Sequence, residues 1–265
     1  MIKLSIITIN YNNKAGLQKT IDSVITQTFK DFEWIIIDGG STDGSKELIE
    51  KYSHYITYWV SEPDKGIYNA MNKGIVQANG EYLHFLNSGD YLVDSNTLRN
   101  IFIKNNYTSD IIYGNTYILS NPIRESYSLH SNHISCHDLI NASICHQSSF
   151  IKNILFKKYG LYNEHYKIAA DWDFFFRTIV IENCSLQYID DFIVFYDTNG
   201  VSSRNRFSLN KEREAIISQN LPPRIHDDYI KNLQQNEIRK YSISRYLFSL
   251  LYKIVRIYEH FKYKK

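Results

Sequence analysis

Residues 4–13 of the chain read LSIITINYNN. The first six are almost all aliphatic or β-branched, which is typical of a strand buried on both faces rather than on one. The run then changes abruptly to Asn10, Tyr11 and Asn12. In open α/β sheets, ligands bind beyond the carboxyl ends of the parallel strands. The stretch therefore predicts a central strand that brings polar and aromatic side chains to a binding edge.

The rest of the first half repeats this layout. Further buried strands are predicted at residues 33–37, 56–60 and 81–86. Helices are predicted between them at residues 14–28, around residues 48–52, and at residues 66–78, where Ala70 and Gly74 would allow close packing. Strands that alternate with helices predict a mainly parallel or mixed sheet with helices on both faces. The fold class is therefore α/β.

The second half is less regular. Strands are predicted at residues 110–119, 147–151 and 192–196, and a helix at residues 171–182. The chain becomes helical again from Phe207, and the pair Pro222-Pro223 breaks that helix. We therefore predict a main domain at residues 1–220 and a C-terminal helical extension at residues 221–265.

The extension carries an amphipathic pattern. Apolar residues recur at steps of three and four, at Ile243, Leu247, Leu250, Ile254, Ile257 and Phe261. Such a seam is typical of a helix that packs one face against another surface. Lysines and arginines flank it throughout residues 239–265, as in helices that lie on anionic membranes. The sequence leaves three surfaces open: the chain's own domain, a partner chain such as the second copy of a homodimer, or a membrane.

Composition narrows the classes of function and location. The 265 residues carry a net charge of +2, which gives no overall basic footprint for nucleic acid. Three widely spaced cysteines indicate a reducing compartment rather than a disulfide framework. The N-terminus lacks signal-peptide features, and no apolar run reaches the roughly 18 residues that span a bilayer. We therefore expect a cytoplasmic protein, with peripheral contact at the inner face of the plasma membrane if the tail supplies it.

Three predicted strands end in polar clusters. These are residues 10–12, 38–43 and 87–90. Together they offer an aromatic ring, hydrogen-bond acceptors and a carboxylate, which are the groups that a nucleotide diphosphate and its divalent cation require. Polar residues also end strands simply because they favour turns. Three clusters at equivalent strand ends favour a nucleotide site over that simpler explanation.

Four segments resemble the family 2 glycosyltransferases, which have the GT-A fold. They read LSIITINYNN, IIIDGGSTDGS, SEPDKGIYNAMNKGI and GEYLHFLNSGD, in that order and at matching spacing. The resemblance covers about residues 3–200 and is closest to bacterial members that build cell-surface polysaccharides such as capsule or lipopolysaccharide. It implies an inverting transfer of a sugar from a nucleotide diphosphate sugar, with UDP expected, to a saccharide or lipid-linked acceptor.

The resemblance also assigns residues to the donor. Tyr11 would stack on the nucleobase with Asn10 beside it, and Asp38 would approach the base or the ribose. Many relatives have a second aspartate after Asp38, where this chain has Gly39. Many also have an arginine in the third helix that helps to hold phosphate, where this chain has Met71.

Other donor contacts follow from the same resemblance. Lys65 or Lys73 would replace the missing positive charge, and Asn69 would face the crevice. His146, in a Cys-His-Gln step common in this subgroup, would lie near the donor sugar. Residues 196–202 resemble a flexible loop that closes over the diphosphate.

The family's Asp-x-Asp metal motif falls on Ser88-Gly89-Asp90, so its last acid is retained and its first is replaced. Mg²⁺ is commonly held by one or two carboxylates with phosphates and waters as further ligands, and Mn²⁺ favours the same oxygen ligands. Asp90 would therefore anchor a donor-borne Mn²⁺ or Mg²⁺, while Asn87 and Ser88 form a neutral polar wall. Weak metal binding in the absence of nucleotide is the expected result.

Inverting transfer needs a base that takes the proton of the acceptor hydroxyl. Residues 169–176 resemble the family's Glu-Asp motif, with Asp171 at the base position and Ala170 in place of the usual Glu. Asp171 and Asp173 are two residues apart on a predicted helix, so they cannot face the same point. For Asp173 we favour a role at the start of the helix, where negative charge suits the dipole.

Three alternatives remain to be weighed. A catalytically inactive nucleotide-binding partner subunit of a glycosyltransferase complex would explain the incomplete motifs, although the retained Asp90 and Asp171 argue against it. A nucleotidyltransferase would be expected to have a Gly-rich, basic phosphate loop after the first strand, which this sequence lacks. Zinc ligands could come from His130, His133, Cys136 and His137, although their spacing matches no established zinc motif.

Overall fold

The computed structural model describes residues 2–104, 107–120, 124–128, 130–141, 143–198 and 205–231. Its contacts group into two compact units, Met1–Glu214 and Ala215–Lys265. The predicted tail helix at residues 239–265 lies outside the described residues. The predicted division at residue 220 stays a prediction.

Strands and helices alternate through the first half, which confirms the predicted order. They are β1 (Leu4–Asn10), α1 (Lys14–Ile25), β2 (Phe32–Asp38), α2 (Ser45–Lys51), β3 (Tyr58–Ser61), α3 (Ile67–Gln77) and β4 (Tyr82–Phe85). The second half contains β5 (Tyr91–Leu92), α4 (Thr97–Phe102), β6 (Ile111–Ser120), β7 (Arg124–Ser128), α5 (Cys136–Asn141), β8 (Ser149–Lys152), α6 (Asn153–Tyr159), α7 (Ala170–Phe175), β9 (Leu186–Asp197) and α8 (Arg206–Asn220).

The nine described strands form one mixed sheet. Its order is β3-β2-β1-β4-β8-β6-β9-β5, with β7 paired to β6. The first four strands of the chain are parallel, and β6 is parallel to β9. β5, β7 and β8 pair antiparallel with their neighbours. The register sets Asn10 opposite Asp38, so the carboxyl ends of β1 and β2 lie side by side.

Both faces of β1 are covered by helices. Leu4 and Ile6 belong to a buried cluster with Leu17 of α1. Ile7 faces the other side, because successive strand residues alternate. There α3 packs so closely that a Cβ on Gly74 would lie 2.5 Å from Ile7 Cγ2, which confirms the predicted close approach. Burial on both faces explains why β1 reads as a continuous apolar run.

Two predicted elements differ from the structure. The predicted strand at 147–151 starts only at Ser149, because His146–Ser148 form a 3₁₀ turn. The Ser149 hydroxyl stabilises this turn by donating a hydrogen bond to the Cys145 carbonyl oxygen at 2.7 Å. The predicted helix at 171–182 is α-helical over Ala170–Phe175 and π-helical over Phe176–Ile181. Single π turns of this kind occur frequently at functional sites.

The C-terminal part of the described chain is helical. α8 ends at Asn220, and residues 223–231 are helical again, which confirms the predicted break at Pro222-Pro223. Among the described residues, no helix combines the length and apolar character needed to cross a membrane.

Candidate functional site

A cavity of about 1090 Å³ opens beyond the carboxyl ends of β1, β2 and β4. Seven of the predicted site residues line it: Asn10, Tyr11, Asn87, Ser88, Asp90, His146 and Asp171. The other three, Asp38, Lys65 and Asn69, stand outside the lining. Residues that are far apart in the sequence are therefore brought to one site at the edge of the sheet, where the topology predicts a ligand.

Tyr11 and Asn10 form the wall beyond β1. Tyr11 is 67% exposed, so its ring is accessible for stacking. Asn10 is buried, and its Nδ2 donates to Asp38 Oδ1 at 2.7 Å. Asn10 Oδ1 is also buried and has no hydrogen-bond partner among the described residues. A ligand with an N–H donor would satisfy this acceptor, whose desolvation is otherwise uncompensated.

Asp38 supports this wall from behind. It is fully buried and accepts hydrogen bonds from the hydroxyls of Ser41 and Ser61, both at 2.6 Å, in addition to the one from Asn10. Burial alone would raise the pKa of Asp38, but these hydrogen bonds outweigh it and hold the pKa below its ordinary value. The carboxylate is therefore ionised and already engaged by the loop that follows β2.

Asp64 occupies the space beside Gly39, where many relatives have a second aspartate. A Cβ at position 39 would lie 2.6 Å from Asp64 Oδ2 and 3.1 Å from Tyr11 Cδ2. Asp64 lines the cavity, and its Oδ1 accepts a hydrogen bond from the Gly66 N–H at 2.8 Å. A carboxylate thus reaches this corner from the loop between β3 and α3 instead of from residue 39.

Thr20 of α1 holds the loop that follows β4. Its Oγ1 donates to the Asp90 carbonyl oxygen at 2.7 Å and accepts from the Gly89 N–H at 3.1 Å. Gly89 has a φ of +108°, a conformation that glycine adopts without strain. The backbone beside Asp90 is therefore held in place from α1.

Asp197, at the end of β9, brings a second carboxylate to Asp90. Its backbone N–H donates to Asp90 Oδ1 at 2.9 Å, and both residues line the cavity. Asp90 is 3% exposed, and burial, with a smaller contribution from the charge of Asp197, raises its pKa to about 7. A divalent cation would offset the negative charge that burial penalises. This set of oxygen donors therefore fits Mg²⁺ or Mn²⁺.

α3 directs Tyr68 and Met71 toward the cavity and Asn69 away from it. Asn69 Nδ2 donates to Glu164 Oε2 at 3.0 Å, and Asn69 lines a separate cavity of about 410 Å³. The difference follows from the helical period, because adjacent residues on a helix face different directions. Asn69 therefore does not reach the cavity of Asp90.

The predicted lysines also lie elsewhere. Lys65 is exposed outside the lining, and Lys73 Nζ pairs with Glu62 Oε1 at 2.6 Å beside the smaller cavity. Among the described residues that line the large cavity, Lys167 is the one lysine or arginine. Neither predicted lysine therefore brings a positive charge to the lining of the large cavity.

Asp171 is joined to two other residues of the cavity wall. His146 Nδ1 lies 2.9 Å from Asp171 Oδ2, and the Tyr68 hydroxyl lies 2.8 Å from Asp171 Oδ1. Burial alone would raise the pKa of Asp171, but the hydrogen bonds from His146 and Tyr68 outweigh it and hold the pKa below its ordinary value. The carboxylate is thus ionised, with a hydrogen bond at each oxygen.

The start of α7 is held by Glu212, whose carboxylate accepts hydrogen bonds from the backbone N–H groups of residues 167–169 at 2.9–3.0 Å. Such charge-assisted bonds at a helix N-terminus stabilise it and fix its direction. Asp173 points away from the cavity and pairs with Arg177 at 3.0 Å. The two aspartates of α7 therefore face different partners, as their spacing predicts.

The four residues weighed as zinc ligands do not form a cluster. His133, Cys136 and His137 have large exposed fractions, and His130 packs its ring against Tyr113. Within the described part of the chain, no group of three His, Cys, Asp or Glu side chains is arranged to hold a metal ion.

The lining also contains side chains whose individual roles no sequence pattern had predicted, among them Asp64, Tyr68, Lys167 and Asp197. Asp64 and Tyr68 fall within the segment SEPDKGIYNAMNKGI, and Asp197 falls within residues 196–202, so each lay inside a stretch already singled out. Lys167 lies outside every segment that the sequence patterns had singled out.

Comparison with known proteins supports the fold and identifies the family. Residues 5–176 match the sequence profile of glycosyl transferase family 2. A PGL/p-HBAD biosynthesis glycosyltransferase of Mycobacterium bovis (strain BCG / Pasteur 1173P2) is 32% identical over 201 residues, which cover 74% of this chain and 77% of that protein.

Two solved structures share the fold. S. aureus TarS (residues 1–349), in complex with UDP-GlcNAc, aligns with a TM-score of 0.67 at 20% identity, over 82% of this chain and 66% of the TarS chain. A mannosyltransferase from Pyrobaculum calidifontis, in complex with GDP-Man and Mn²⁺, aligns with a TM-score of 0.53 at 15% identity, over 72% of this chain and 56% of that one. The profile match spans more than half of the chain, and the sheet has the predicted GT-A arrangement. The chain belongs to glycosyl transferase family 2.

Proposed function

We propose that the chain is an inverting glycosyltransferase that transfers a hexose or an N-acetylhexosamine from a nucleotide diphosphate sugar, with UDP as the preferred nucleotide. The observation that carries the proposal is a single cavity with an accessible aromatic ring, two adjacent carboxylates and a separate Asp–His pair. The ring can stack on a nucleobase, the two carboxylates can hold the metal of a diphosphate, and the Asp–His pair can take part in proton transfer.

The nucleobase would bind beside Tyr11 and Asn10. The exposed ring of Tyr11 supports stacking, and the unpaired Oδ1 of Asn10 supports acceptance of a base N–H. Asp38 would act through Asn10, which it holds in place. TarS binds UDP-GlcNAc and the Pyrobaculum enzyme binds GDP-Man, so proteins of this fold bind more than one nucleotide.

The diphosphate would bind beside Asp90, with Asn87 and Ser88 as the neutral polar wall. Asp90, with Asp197 next to it, would hold a Mn²⁺ or Mg²⁺, which when bound would neutralise the charge of the diphosphate. Lys167 would add a positive charge to the same cavity. The Pyrobaculum structure contains Mn²⁺, and the oxygen donors of this chain suit the same ion.

Asp171 would promote removal of the acceptor proton. It lies in the wall of the same cavity and is ionised, as a base must be. We propose a saccharide or lipid-linked acceptor from bacterial cell-surface polysaccharide synthesis. Contact of residues 239–265 with an anionic membrane would favour a lipid-linked acceptor.

Release of nucleotide from donor sugars tests the proposal. We expect wild-type protein with Mn²⁺ to hydrolyse a UDP-sugar slowly, with water as the acceptor, and we expect EDTA or Asp90→Asn to abolish UDP release. His54→Gln, a change at an exposed residue outside the cavity, should leave the rate unchanged. Saturable binding of UDP-sugars without release of UDP would instead indicate an inactive nucleotide-binding partner subunit.

A further inference from the structure

The Tyr68 hydroxyl has two acceptors within reach and a single hydrogen to donate. Its oxygen lies 2.6 Å from the Ile168 carbonyl oxygen and 2.8 Å from Asp171 Oδ1. A phenolic hydroxyl donates one hydrogen bond and accepts others through its lone pairs. Tyr68 can therefore donate to one of these two oxygens at a time, while it stays able to accept a hydrogen bond from the side of the other.

The ring of Tyr68 is held in place by its neighbours. Tyr68 lies at the start of α3, is 7% exposed and lines the large cavity. Its ring packs against that of Tyr162, with the centroids 5.7 Å apart, and Tyr162 packs in turn against Phe85 and Phe174. Close packing of this kind resists displacement of a whole side chain. Rotation of the O–H about its C–O bond is therefore the smallest movement that this contact offers.

The two directions of the Tyr68 hydrogen match the two protonation states of Asp171. An ionised Asp171 accepts at both oxygens, so the Tyr68 hydrogen then points to Oδ1. A protonated Oδ1 needs an acceptor, and the Tyr68 oxygen supplies it once the Tyr68 hydrogen has turned to the Ile168 carbonyl. Both states therefore keep the carboxyl group and the hydroxyl hydrogen-bonded, which avoids the cost of an unpaired buried polar group.

The other oxygen of Asp171 has a different neighbour. His146 Nδ1 lies 2.9 Å from Oδ2. An ionised carboxylate only accepts hydrogen bonds, so Nδ1 carries a hydrogen here whether the imidazole is neutral or protonated. A proton on Oδ2 would meet this N–H unless His146 gave up its Nδ1 hydrogen. Oδ1 is therefore the oxygen whose surroundings adjust to a proton by rotation of one hydroxyl.

We infer that Asp171 Oδ1 takes the proton of the acceptor hydroxyl and that Tyr68 is a positioning residue, which donates to Oδ1 before the transfer and accepts from the Oδ1–H after it. The inference rests on the proposed glycosyl transfer. The acceptor oxygen forms a bond to the anomeric carbon, and the bond from that carbon to the diphosphate breaks with its electron pair on the leaving nucleotide. The hydroxyl proton passes to Oδ1, and Asp171 later returns it to solvent.

Other titratable groups face Tyr68 or Asp171 and will contribute to any pH dependence. Among the described residues they are His146 in the turn before β8, Tyr162 in the loop before α7, and Arg213 on α8. All three stay in place when the Tyr68 hydroxyl alone is removed. A difference between wild type and Tyr68→Phe therefore reports the role of that hydroxyl.

Tyr68→Phe removes the hydroxyl and keeps the ring that packs against Tyr162. With Mn²⁺ and UDP-GlcNAc, UDP-glucose, GDP-mannose or dTDP-glucose as the probe, we expect the rate of nucleotide release to fall by about 10–100-fold. A hydrogen bond to a charged group has about that weight in an equilibrium constant. Affinity for UDP with Mn²⁺ should stay within about threefold of wild type, because the hydroxyl acts on the proton and not on the nucleotide.

A titration of Asp171 tests the contact without any turnover. We expect the pKa of Asp171 to be higher in Tyr68→Phe than in wild type, because the ionised carboxylate loses a donor. Carboxyl ¹³C NMR of the full chain, labelled at aspartate and kept in EDTA, measures this pKa, and the loss of one signal in Asp171→Asn identifies the residue.

A second variant gives the answer if Tyr68→Phe does not fold. 3-Fluorotyrosine at position 68 keeps the hydroxyl and makes it a stronger donor, since fluorine withdraws electrons from the ring. The pKa of Asp171 should then be lower than in wild type. A role of Tyr68 in packing alone predicts no such opposite response of Asp171 to the two changes.

Tyr162→Phe is the matched control for both measurements. The Tyr162 hydroxyl is buried and has no hydrogen-bond partner among the described residues. The same chemical change on the neighbouring ring should therefore leave the rate and the pKa of Asp171 as they are in wild type.

The outcomes separate the inference from the function beneath it. A Tyr68→Phe rate within threefold of wild type, or a pKa of Asp171 that neither change at residue 68 moves, would overturn the inference alone. An equal loss of rate in Tyr162→Phe would do the same, because the effect would then lie in the packing of the rings. No turnover of any probe by wild type would overturn the proposed function, and the inference with it.

Discussion

Asp90 is a buried acid whose ionised form the folded protein tolerates poorly. Burial raises its pKa from 3.8 to about 7. The folded state therefore binds more protons at this residue than the unfolded state does between those two values. It follows that stability contributed by Asp90 is fully present below the unfolded pKa and is lost as the pH rises through the folded pKa.

Asp90→Asn should consequently stabilise the metal-free protein at alkaline pH. We expect the gain in free energy of unfolding over wild type to be larger at pH 8 than at pH 5 by on the order of 2 kcal/mol, because the amide carries no charge to desolvate. Urea unfolding of both proteins in EDTA, at pH 5 and at pH 8, measures this difference in the free energy of unfolding. Asp22→Asn, at an exposed position of α1, is the matched control and should show no such difference. Equal gains at both pH values for Asp90→Asn would contradict the prediction.

Asp171→Asn should separate binding from catalysis. The amide is close in shape to the carboxylate and does not touch the wall formed by Tyr11 and Asn10, so affinity for UDP with Mn²⁺ should stay within about threefold of wild type. UDP release should fall by at least about 10²-fold, the usual contribution of acid–base machinery. Calorimetry and a coupled UDP assay give the two values. Wild-type turnover in this variant would remove Asp171 from the mechanism.

At the scale of elements, α1 acts as a support for the loop after β4. Thr20 is buried, and its hydroxyl bonds to the Asp90 carbonyl and the Gly89 N–H. Its role is to satisfy backbone groups that the turn leaves unpaired, since Gly89 and Asp90 lie past the end of the strand. The loop can therefore present Asp90 in one fixed orientation.

Thr20→Val should weaken both the fold and the metal site. The substitution keeps the shape but leaves the two backbone groups unpaired, so we expect a loss of about 1–3 kcal/mol in the free energy of unfolding. Binding of Mn²⁺ in the presence of UDP should weaken as well. Thr20→Ser keeps the hydroxyl and should retain most of the metal affinity. If valine and serine variants bound Mn²⁺–UDP equally well, the loop would be held by other contacts.

At the scale of the whole molecule, the cavity joins α3, α7, β9 and the ends of three parallel strands. A ligand that contacts several of these elements stabilises the folded state by mass action, by about 2.7 kcal/mol at a concentration 100 times its Kd. Asp90 and Asp197 offer two carboxylates, and a divalent cation usually completes its shell with phosphate oxygens and water. Metal and nucleotide should therefore bind cooperatively.

A thermal-shift experiment on the full chain tests that coupling. We expect Mn²⁺ alone to raise the unfolding midpoint little, UDP alone to raise it modestly, and the two together to raise it by more than the sum. The same measurement with GDP and dTDP identifies the preferred base. Calorimetric detection of micromolar Mn²⁺ binding to the protein without nucleotide would count against the coupling.

Much of the fold followed from local patterns. Buried parallel strands read as continuous apolar runs and helices as periodic ones, so the order from β1 to β4 was predicted correctly. The strand at residues 147–151 was misjudged because serine hydroxyls close a turn at Cys145, a contact that periodicity does not register. The short elements between β4 and α7 were missed for a similar reason, since few residues carry too little pattern.

By itself, the sequence determined the α/β class, the family and the polar clusters beyond β1, β2 and β4, because hydrophobic periodicity and motif spacing are properties of contiguous residues. The tertiary structure alone decided which distant side chains contact Asp90 and Asp171. Asp197 bonds to Asp90 across 107 positions, and Tyr68 reaches Asp171 across 103. The tertiary structure also places Asn69 outside the large cavity, places Lys167 in its lining, and brings His146 into hydrogen-bond contact with Asp171. Contacts of that kind depend on how the sheet brings distant segments together, and no local pattern records that arrangement.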